Sequence, residues 1–146
     1  MKQEEKDLLL KDLCTRLPYG VKVESVFINP DTKEHKSCGI EVFDATNLLM
    51  IRDGLGEFKP YLFPLSSITE EQAKELFDIF GLVCPSTEED YIKINECTGI
   101  TFFLLQGFDV ETHLDKLIDW LNKNHFDYRG LIEKGLALDA TNKNIY

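Results

Sequence analysis

The sequence predicts an α+β fold in which amphipathic helices cover a mostly antiparallel sheet of about five strands, in the order αβββαββα. Three observations favour this fold. Apolar residues recur at helical spacing in some segments, they alternate or form short β-branched runs in others, and turn residues separate the two kinds of segment. The chain has 146 residues and no linker-like stretch, so we expect one globular domain over 1–146 with a flexible tail over 139–146.

The first helix is predicted to run from Glu4 to Leu17. One stripe of this helix holds Leu9, Leu10, Leu13, Cys14 and Leu17, so we expect the Cys14 thiol to pack inward as a small apolar group. The proline, tyrosine and glycine at 18–20 end the helix, because proline and glycine are both poor continuations of it. The chain is then free to enter the sheet.

A three-stranded antiparallel meander is predicted next. Its strands are the β-branched run 21–28, the alternating segment 37–43 and the apolar run 48–51, with a turn at 29–31 between the first two. Segment 58–65 contains two prolines, which lack the N–H that a sheet ladder uses. We therefore expect it to be an ordered extended connector and not a central strand.

A second helix is predicted to begin after Thr69. The spacing of Thr69 and Gln72 fits a capping box, in which each side chain bonds the backbone N–H of the other residue. The predicted buried stripe of this helix consists of Ala73, Leu76, Phe77 and Phe80.

Two more strands are predicted over 91–94 and 100–105, and the second is apolar on both faces, as a central strand would be. The last major helix is predicted to start at its cap, Asp109. Its inward stripe is predicted to be Val110, Leu114, Leu117, Ile118 and Leu121.

The net charge of −10 is concentrated in the middle of the chain. The segment 66–97 holds eight acidic residues against two lysines, so it would repel a phosphate backbone, and we expect no direct nucleic-acid binding. The first residues are strongly charged and lack a signal-peptide core, and no later run approaches the ~20 apolar residues of a membrane span. The sequence therefore predicts a cytoplasmic protein with reduced cysteines and no membrane contact.

No constellation of catalytic, cofactor-binding or metal-binding residues is recognisable. The four cysteines are far apart, and the nearest pair of metal-ligand types is His35 with Cys38 in a turn, whereas zinc usually takes four clustered ligands. There is no nucleophile elbow and no phosphate-binding glycine loop with its lysine. We expect no catalytic site, no cofactor and no metal.

The segment 120–138 is the most distinctive part of the chain, because it gathers aromatic rings, a histidine, an arginine and two glycines. Aromatic and arginine side chains are enriched at binding hot spots. The candidate interaction surface is therefore His113, Trp120, His125, Phe126, Tyr128 and Arg129. The alternative is structural: Trp120 closes the edge of the core, and the residues after it pin the C-terminal segment to the sheet.

Three blocks of the sequence, 9–21, 59–71 and 120–138, resemble a family of short uncharacterised bacterial proteins found among prophages and other mobile elements of gut anaerobes. The blocks cover about a third of the chain. The resemblance implies a mobile-element context, but it implies no activity, cofactor, partner or catalytic residue.

The leading functional hypothesis is a non-enzymatic accessory protein that binds another protein. A self-complementary patch around Trp120 would give a homodimer through the same contacts. One alternative is an acidic decoy that mimics DNA and inhibits a DNA-binding host protein, which would need carboxylates spaced along one face. A second alternative is a small thiol or histidine hydrolase, which would need a cysteine beside a histidine in a cleft.

Overall fold

A computed structural model describes residues 2–79 and 110–146, with side chains for 2–76 and 115–146. The strands predicted over 91–94 and 100–105 and the cap predicted at Asp109 lie outside these residues. The chain divides into two compact units, unit 1 over Met1–Phe63 and Arg129–Tyr146 and unit 2 over Pro64–Tyr128.

Unit 1 contains two α-helices, a short 3₁₀ helix over Leu17–Tyr19 and a four-stranded sheet within its described residues. The elements are α1 (Gln3–Arg16), β1 (Lys22–Ile28), β2 (His35–Val42), α2 (Ala45–Arg52), β3 (Gly56–Leu62) and β4 (Leu138–Asp139). The strand order is β2-β1-β3-β4, with antiparallel pairs except for the parallel pair β3–β4. The predicted α+β class is confirmed, although this sheet is mixed and has four strands, one fewer than expected.

Helix α1 begins and ends within one residue of its predicted bounds. Its buried side, however, is formed by Leu9, Asp12, Leu13 and Arg16. Cys14 is exposed, so the expectation that its thiol packs inward is wrong. Two apolar and two charged side chains share the buried stripe, at the three- and four-residue spacing of one helix face.

The hairpin of β1 and β2 follows the prediction. Oδ1 of Asn29 accepts hydrogen bonds from the backbone N–H groups of Asp31 (2.9 Å) and Thr32 (3.1 Å), which fixes the turn. Ser25 lies opposite Gly39, while Val26 lies opposite Ser37, so Cys38 is an extra residue in a β-bulge.

The run 48–51 lies in helix α2, so the prediction of a third strand there is wrong. Oδ1 of Asp44 accepts from the N–H groups of Thr46 (2.7 Å) and Asn47 (3.0 Å), and Oδ1 of Asn47 accepts from the N–H of Asp44 (2.7 Å). This reciprocal cap starts the helix. Four consecutive apolar residues have no periodicity of their own, so the cap decides the conformation.

The predicted connector over 58–65 is also wrong, because β3 is an internal strand between β1 and β4. Next to β3, Leu55 O accepts a hydrogen bond from Ile28 N of β1 (2.8 Å), so the odd-numbered residues of β3 bond to β1. At the other end, Leu62 O accepts from Ala140 N (2.8 Å), so the even-numbered residues point to the opposite edge. Pro60 lies opposite Val23 and is even-numbered. Its missing N–H therefore costs no hydrogen bond to β1.

The core of unit 1 lies between the sheet and its helices. Phe43 and Phe58 meet edge to face, with ring centroids 5.8 Å apart. Each large apolar side chain buried there contributes about 1.5–3 kcal/mol of transfer free energy. The buried core residues are Leu9, Leu13, Val21, Val23, Phe43, Ile51, Phe58, Leu62, Leu131, Leu136 and Ala137.

The last residues, expected to be a flexible tail, make specific contacts with the sheet. The Tyr146 hydroxyl donates to Tyr61 O (2.7 Å) and accepts from Lys22 N (3.1 Å), so it bridges β1 and β3 where their direct ladder ends. The Lys22 ammonium donates to Ile145 O and lies 5.8 Å from the centroid of the Tyr146 ring. The Tyr146 ring also contacts Phe63.

Unit 2 contains helices α3 (Glu70–Ile79) and α4 (Val110–Lys123), which contact each other. The capping box of α3 is confirmed: Thr69 N donates to Gln72 Oε1 (3.0 Å), and Gln72 N donates to Thr69 Oγ1 (3.3 Å). The predicted stripe residues Phe77, Phe80, Val110 and Leu114 lie outside the described side chains. The remaining predicted stripe residues are buried, apart from the half-buried Ile118: Ala73, Leu76, Leu117 and Leu121.

Candidate interaction site

Three side chains of the predicted interaction surface are buried. Trp120 and Phe126 stack with ring centroids 5.4 Å apart and an interplanar angle of 14°. Trp120 is 3% exposed, Phe126 1% and His125 8%. These three side chains therefore belong to the interior of the structure and are not available as an exposed anchor in this conformation.

The end of α4 explains why these residues are buried. His125 N donates to Asn122 O (3.1 Å), and Phe126 N donates to Leu121 O (2.9 Å), which is the Schellman pattern of helix termination. His125 occupies the left-handed position, with φ of 58°, where glycine is usual. The motif turns Phe126 back onto the helix, where it meets Trp120.

Tyr128 and Arg129 are half-buried, and the side chain of His113 lies outside the described residues. The Tyr128 hydroxyl donates to Asn122 Oδ1 at 3.2 Å. Within the predicted surface, the structure thus brings Trp120 and Phe126 together and gives Tyr128 a polar contact on the same helix end.

Arg129 contacts a buried carboxylate of helix α1. Its Nε lies 3.2 Å from Asp12 Oδ1. This contact is an ion pair, whereas Arg16 donates hydrogen bonds to Asp12, from Nε to Oδ2 (2.7 Å) and from Nη2 to Oδ1 (3.2 Å). The side chains of Asp12 and Arg16 are 0% exposed, and that of Arg129 is 18% exposed. One carboxylate is thus shared by two guanidinium groups inside unit 1.

The sequence analysis did not predict this cluster, although the pairing of Asp12 with Arg16 could have been recognised from the sequence. Asp12 and Arg16 have the spacing of a helical ion pair, and they lie on the same stripe as Leu9 and Leu13. Oppositely charged residues on an apolar stripe predict a buried ion pair. The arrival of Arg129 depends on tertiary structure, so no local pattern predicts it.

Two neighbouring exposed apolar side chains of unit 1 lie on β2. Ile40 is 51% exposed and Val42 is 54% exposed, and they occupy successive positions of one sheet face, opposite Glu24 and Lys22 of β1. Ile40 and Val42 together form the β2 strip. Sequence alternation identified the two residues as sharing a face, but it could not reveal that both side chains remain exposed.

The β2 strip also lies at a strand edge. Phe43 N donates to Val21 O (2.9 Å), so odd-numbered residues at this end of β2 bond to β1. Ile40 and Val42 are even-numbered, and their backbone N–H and C=O groups point away from β1. The same two residues therefore expose apolar side chains and backbone hydrogen-bonding groups.

The described residues contain no group of three or more side chains suited to hold a metal ion. Cys14 and Cys38 are exposed, while Cys84 and Cys97 lie outside the description. No helix within 2–79 and 110–146 combines the length and apolar content needed to cross a membrane. Of the eight acidic residues counted over 66–97, four lie beyond the part of the chain that is described.

Comparisons with protein-family models, with curated proteins and with solved structures find no match for this chain.

Proposed function

We propose that the protein is a non-enzymatic interaction domain that binds a protein partner through the β2 strip. The observation that supports this proposal is that two exposed β-branched side chains lie on a strand edge with which no other described strand pairs. Strand edges of this kind are templates for an added strand, since main-chain hydrogen bonds give affinity and neighbouring side chains give specificity. The resemblance of three sequence blocks supports a mobile-element context, and the location proposed from the sequence is the cytoplasm.

The two halves of β2 differ in how they meet solvent. The first half carries His35 and Lys36 and ends in the bulge at Cys38, and charges and bulges are the devices by which proteins protect free edges. The second half, with Ile40 and Val42, follows the bulge and has a regular register with β1. A partner strand is therefore expected to pair with the second half.

The test compares two variants in cells that contain the native partners. The double variant Ile40→Ser/Val42→Ser removes the β2 strip, and Leu49→Ser is the matched control because Leu49 is 51% exposed but lies on α2. Each tagged protein is captured after brief crosslinking, and bound proteins are quantified by mass spectrometry. We expect a stoichiometric partner that is lost in the double variant and retained in the control.

Size-exclusion chromatography with light scattering separates a foreign partner from a second copy of the chain. A dimer that disappears in the Ile40→Ser/Val42→Ser variant would make the partner a second copy. Partner capture that is equal for the wild type and the double variant, with both folded by circular dichroism, would contradict a role for the β2 strip.

A further inference from the structure

The strand edge at the β2 strip borders a cavity of unit 1. The cavity has a volume of about 350 Å³, at the lower end of the ~300–1,000 Å³ of small-molecule sites, so it has room for one long side chain. Residues of β1, β2, β3 and α2 line it. It lies between α2 and the inner face of the sheet, which is the face that carries the buried Val23 and Phe58.

The cavity opens on the β2 side. Among its lining residues, Cys38 and Glu41 of β2 are exposed, whereas Ser25 and Phe58 are buried. Gly39 lies opposite Ser25, and a Cβ atom built on Gly39 would meet nothing within 4 Å among the described residues beyond its chain neighbours. The lack of a side chain at position 39 therefore leaves the inner face open beside the β2 edge.

The opening of the cavity is acidic. It carries the carboxylates of Glu41 and Asp44, and the described residues that line the cavity include no lysine, arginine or histidine. Asp44 Oδ1 is occupied by the two N–H groups that it caps. Glu41 Oε1 accepts from Asn47 Nδ2 (3.3 Å), and no described residue donates a hydrogen bond to Glu41 Oε2. Glu41 therefore offers a carboxylate oxygen to a cation at the opening.

A strand added to the β2 edge would present side chains to both faces of the sheet. Side chains alternate along a strand, and residues opposite each other on paired strands point to the same face. Glu41 lies opposite the buried Val23, so its side chain is on the inner face. A partner residue opposite Glu41 would point to the cavity opening, while the residues on either side of it would lie next to Ile40 and Val42.

We infer that the partner strand at the β2 edge carries a lysine or arginine between two β-branched apolar residues. This inference rests on the proposed function and names the chemistry of its partner. The apolar residues pack on the β2 strip, and the charged group of the basic residue meets Glu41. Its methylene stem lies on the apolar part of the lining, which includes Phe27 and Met50. The net charge of −10 attracts a basic segment from a distance.

The probe is the blocked peptide acetyl-Thr-Val-Lys-Val-Thr-amide, titrated into the ¹⁵N-labelled full chain. We expect saturable shifts of the Ile40 and Val42 amides and slower exchange of both with solvent, because both point to the free edge. The same peptide with Nε-acetyl-lysine lacks the charge, so it should bind about two- to five-fold more weakly, the usual effect of one exposed charge pair. Glutamate at that position should weaken binding further.

The matched variants test the role of Glu41. Glu41→Gln keeps an acceptor for Asn47 but removes the charge, so its affinity for the lysine peptide should fall to that of the wild type for the acetyl-lysine peptide. Glu34→Gln is the control, because Glu34 is an exposed glutamate of the β1–β2 turn that does not line the cavity, and it should bind like the wild type. Equal affinity of the wild type and Glu41→Gln for the lysine peptide would overturn the inference.

The Cys38 thiol reports where the peptide binds. Cys38 lines the opening, whereas the equally accessible Cys14 lies on α1. Saturating lysine peptide should slow alkylation of Cys38 by iodoacetamide and leave that of Cys14 unchanged, as measured by mass spectrometry of the digested protein. An unchanged rate at Cys38 would place the peptide elsewhere and would also overturn the inference.

Two further outcomes separate this inference from the proposed function. Equal binding of all three peptides that is lost in Ile40→Ser/Val42→Ser would mean that the β2 strip binds strands without selecting a basic residue. The inference would then fall and the proposed function would stand. Absence of binding at millimolar concentration of every peptide would overturn the inference too, while partner capture from cells decides the proposed function.

Discussion

Nε of Arg129 lies 3.2 Å from Oδ1 of Asp12, which ties the segment after α4 to the first helix of the chain. The same carboxylate binds Arg16, and both Asp12 and Arg16 are fully buried. The conformation of α1 and the position of the C-terminal segment are thus coupled through one acidic group. Arg129, proposed from sequence as a binding residue, has a structural contact here.

The first prediction concerns this carboxylate. Asp12→Ala should lower the free energy of unfolding by about 3–5 kcal/mol, because removing one member of a buried ion pair leaves the other charge uncompensated. Urea denaturation followed by circular dichroism measures the change. Asp7→Ala is the control, since Asp7 is an exposed acid of the same helix, and a similar loss in both variants would contradict a special role for Asp12.

A second prediction concerns the stacked rings of unit 2. Phe126→Ala should destabilise the protein by about 3–5 kcal/mol, because it leaves a cavity beside Trp120. Trp120 is the only tryptophan, so its fluorescence should also shift to longer wavelength as water reaches the ring. Tyr128→Phe should cost only about 0.5–1.5 kcal/mol, the value of one hydrogen bond, and leave the emission unchanged.

The third prediction concerns the start of α2. Asp44→Ala should cost about 0.5–2 kcal/mol, because two backbone N–H groups lose their acceptor. Asp44→Ser keeps a capping oxygen and should retain most of the stability. Equal losses in the two variants, measured by chemical denaturation, would show that the cap does not determine the helix.

The fourth prediction is a loss of stability at high pH through Tyr146. Burial raises the pKa of the Tyr146 phenol from 10.0 to about 12, and the hydrogen bond from the Lys22 backbone opposes this shift. The unfolded chain releases its proton first as pH rises, so the contribution of Tyr146 to stability is complete below pH 10 and is lost as the pH approaches about 12.

Urea unfolding at intervals from pH 9 to 12 should therefore show a smaller decline for Tyr146→Phe than for the wild type. The hydrogen bond to Glu24, together with burial, also raises the pKa of Tyr61, so Tyr61 contributes to the remaining decline. An identical pH dependence in the wild type and Tyr146→Phe would contradict the prediction. Absorbance of ionised tyrosine provides an independent measure of the same titration.

The sequence predicted those elements whose signals are local. The hairpin follows from its turn residues, and α3 follows from the capping pair Thr69 and Gln72. The prediction of a strand at 48–51 failed because it was based on the apolar run alone. Asp44 and Asn47 have the spacing of a helix cap, and this cap starts the helix. The prediction failed at Pro60 because the direction of a missing N–H depends on the register with β1, and register is a long-range property.

The candidate site was predictable only in part. Part of the distinctive composition of 120–138 has a local explanation, since the Schellman motif at His125 and the left-handed conformation of Gly130, with φ of 67°, both occur there. Composition could not indicate whether the rings face inward or outward. The β2 strip could not be predicted either, because alternation shows which residues share a face of a strand but does not show whether that face is covered.

Unit 1 is assembled from two stretches of chain that are separated by the whole of unit 2. During synthesis on the ribosome, β3 is made long before β4, and Asp12 is made long before Arg129. The N-terminal part of unit 1, Met1–Phe63, therefore lacks the C-terminal residues of its core for several seconds at ordinary rates of translation. In that interval the edges of β2 and β3 are both accessible, and a chaperone or a nascent binding partner could meet them before the fold closes.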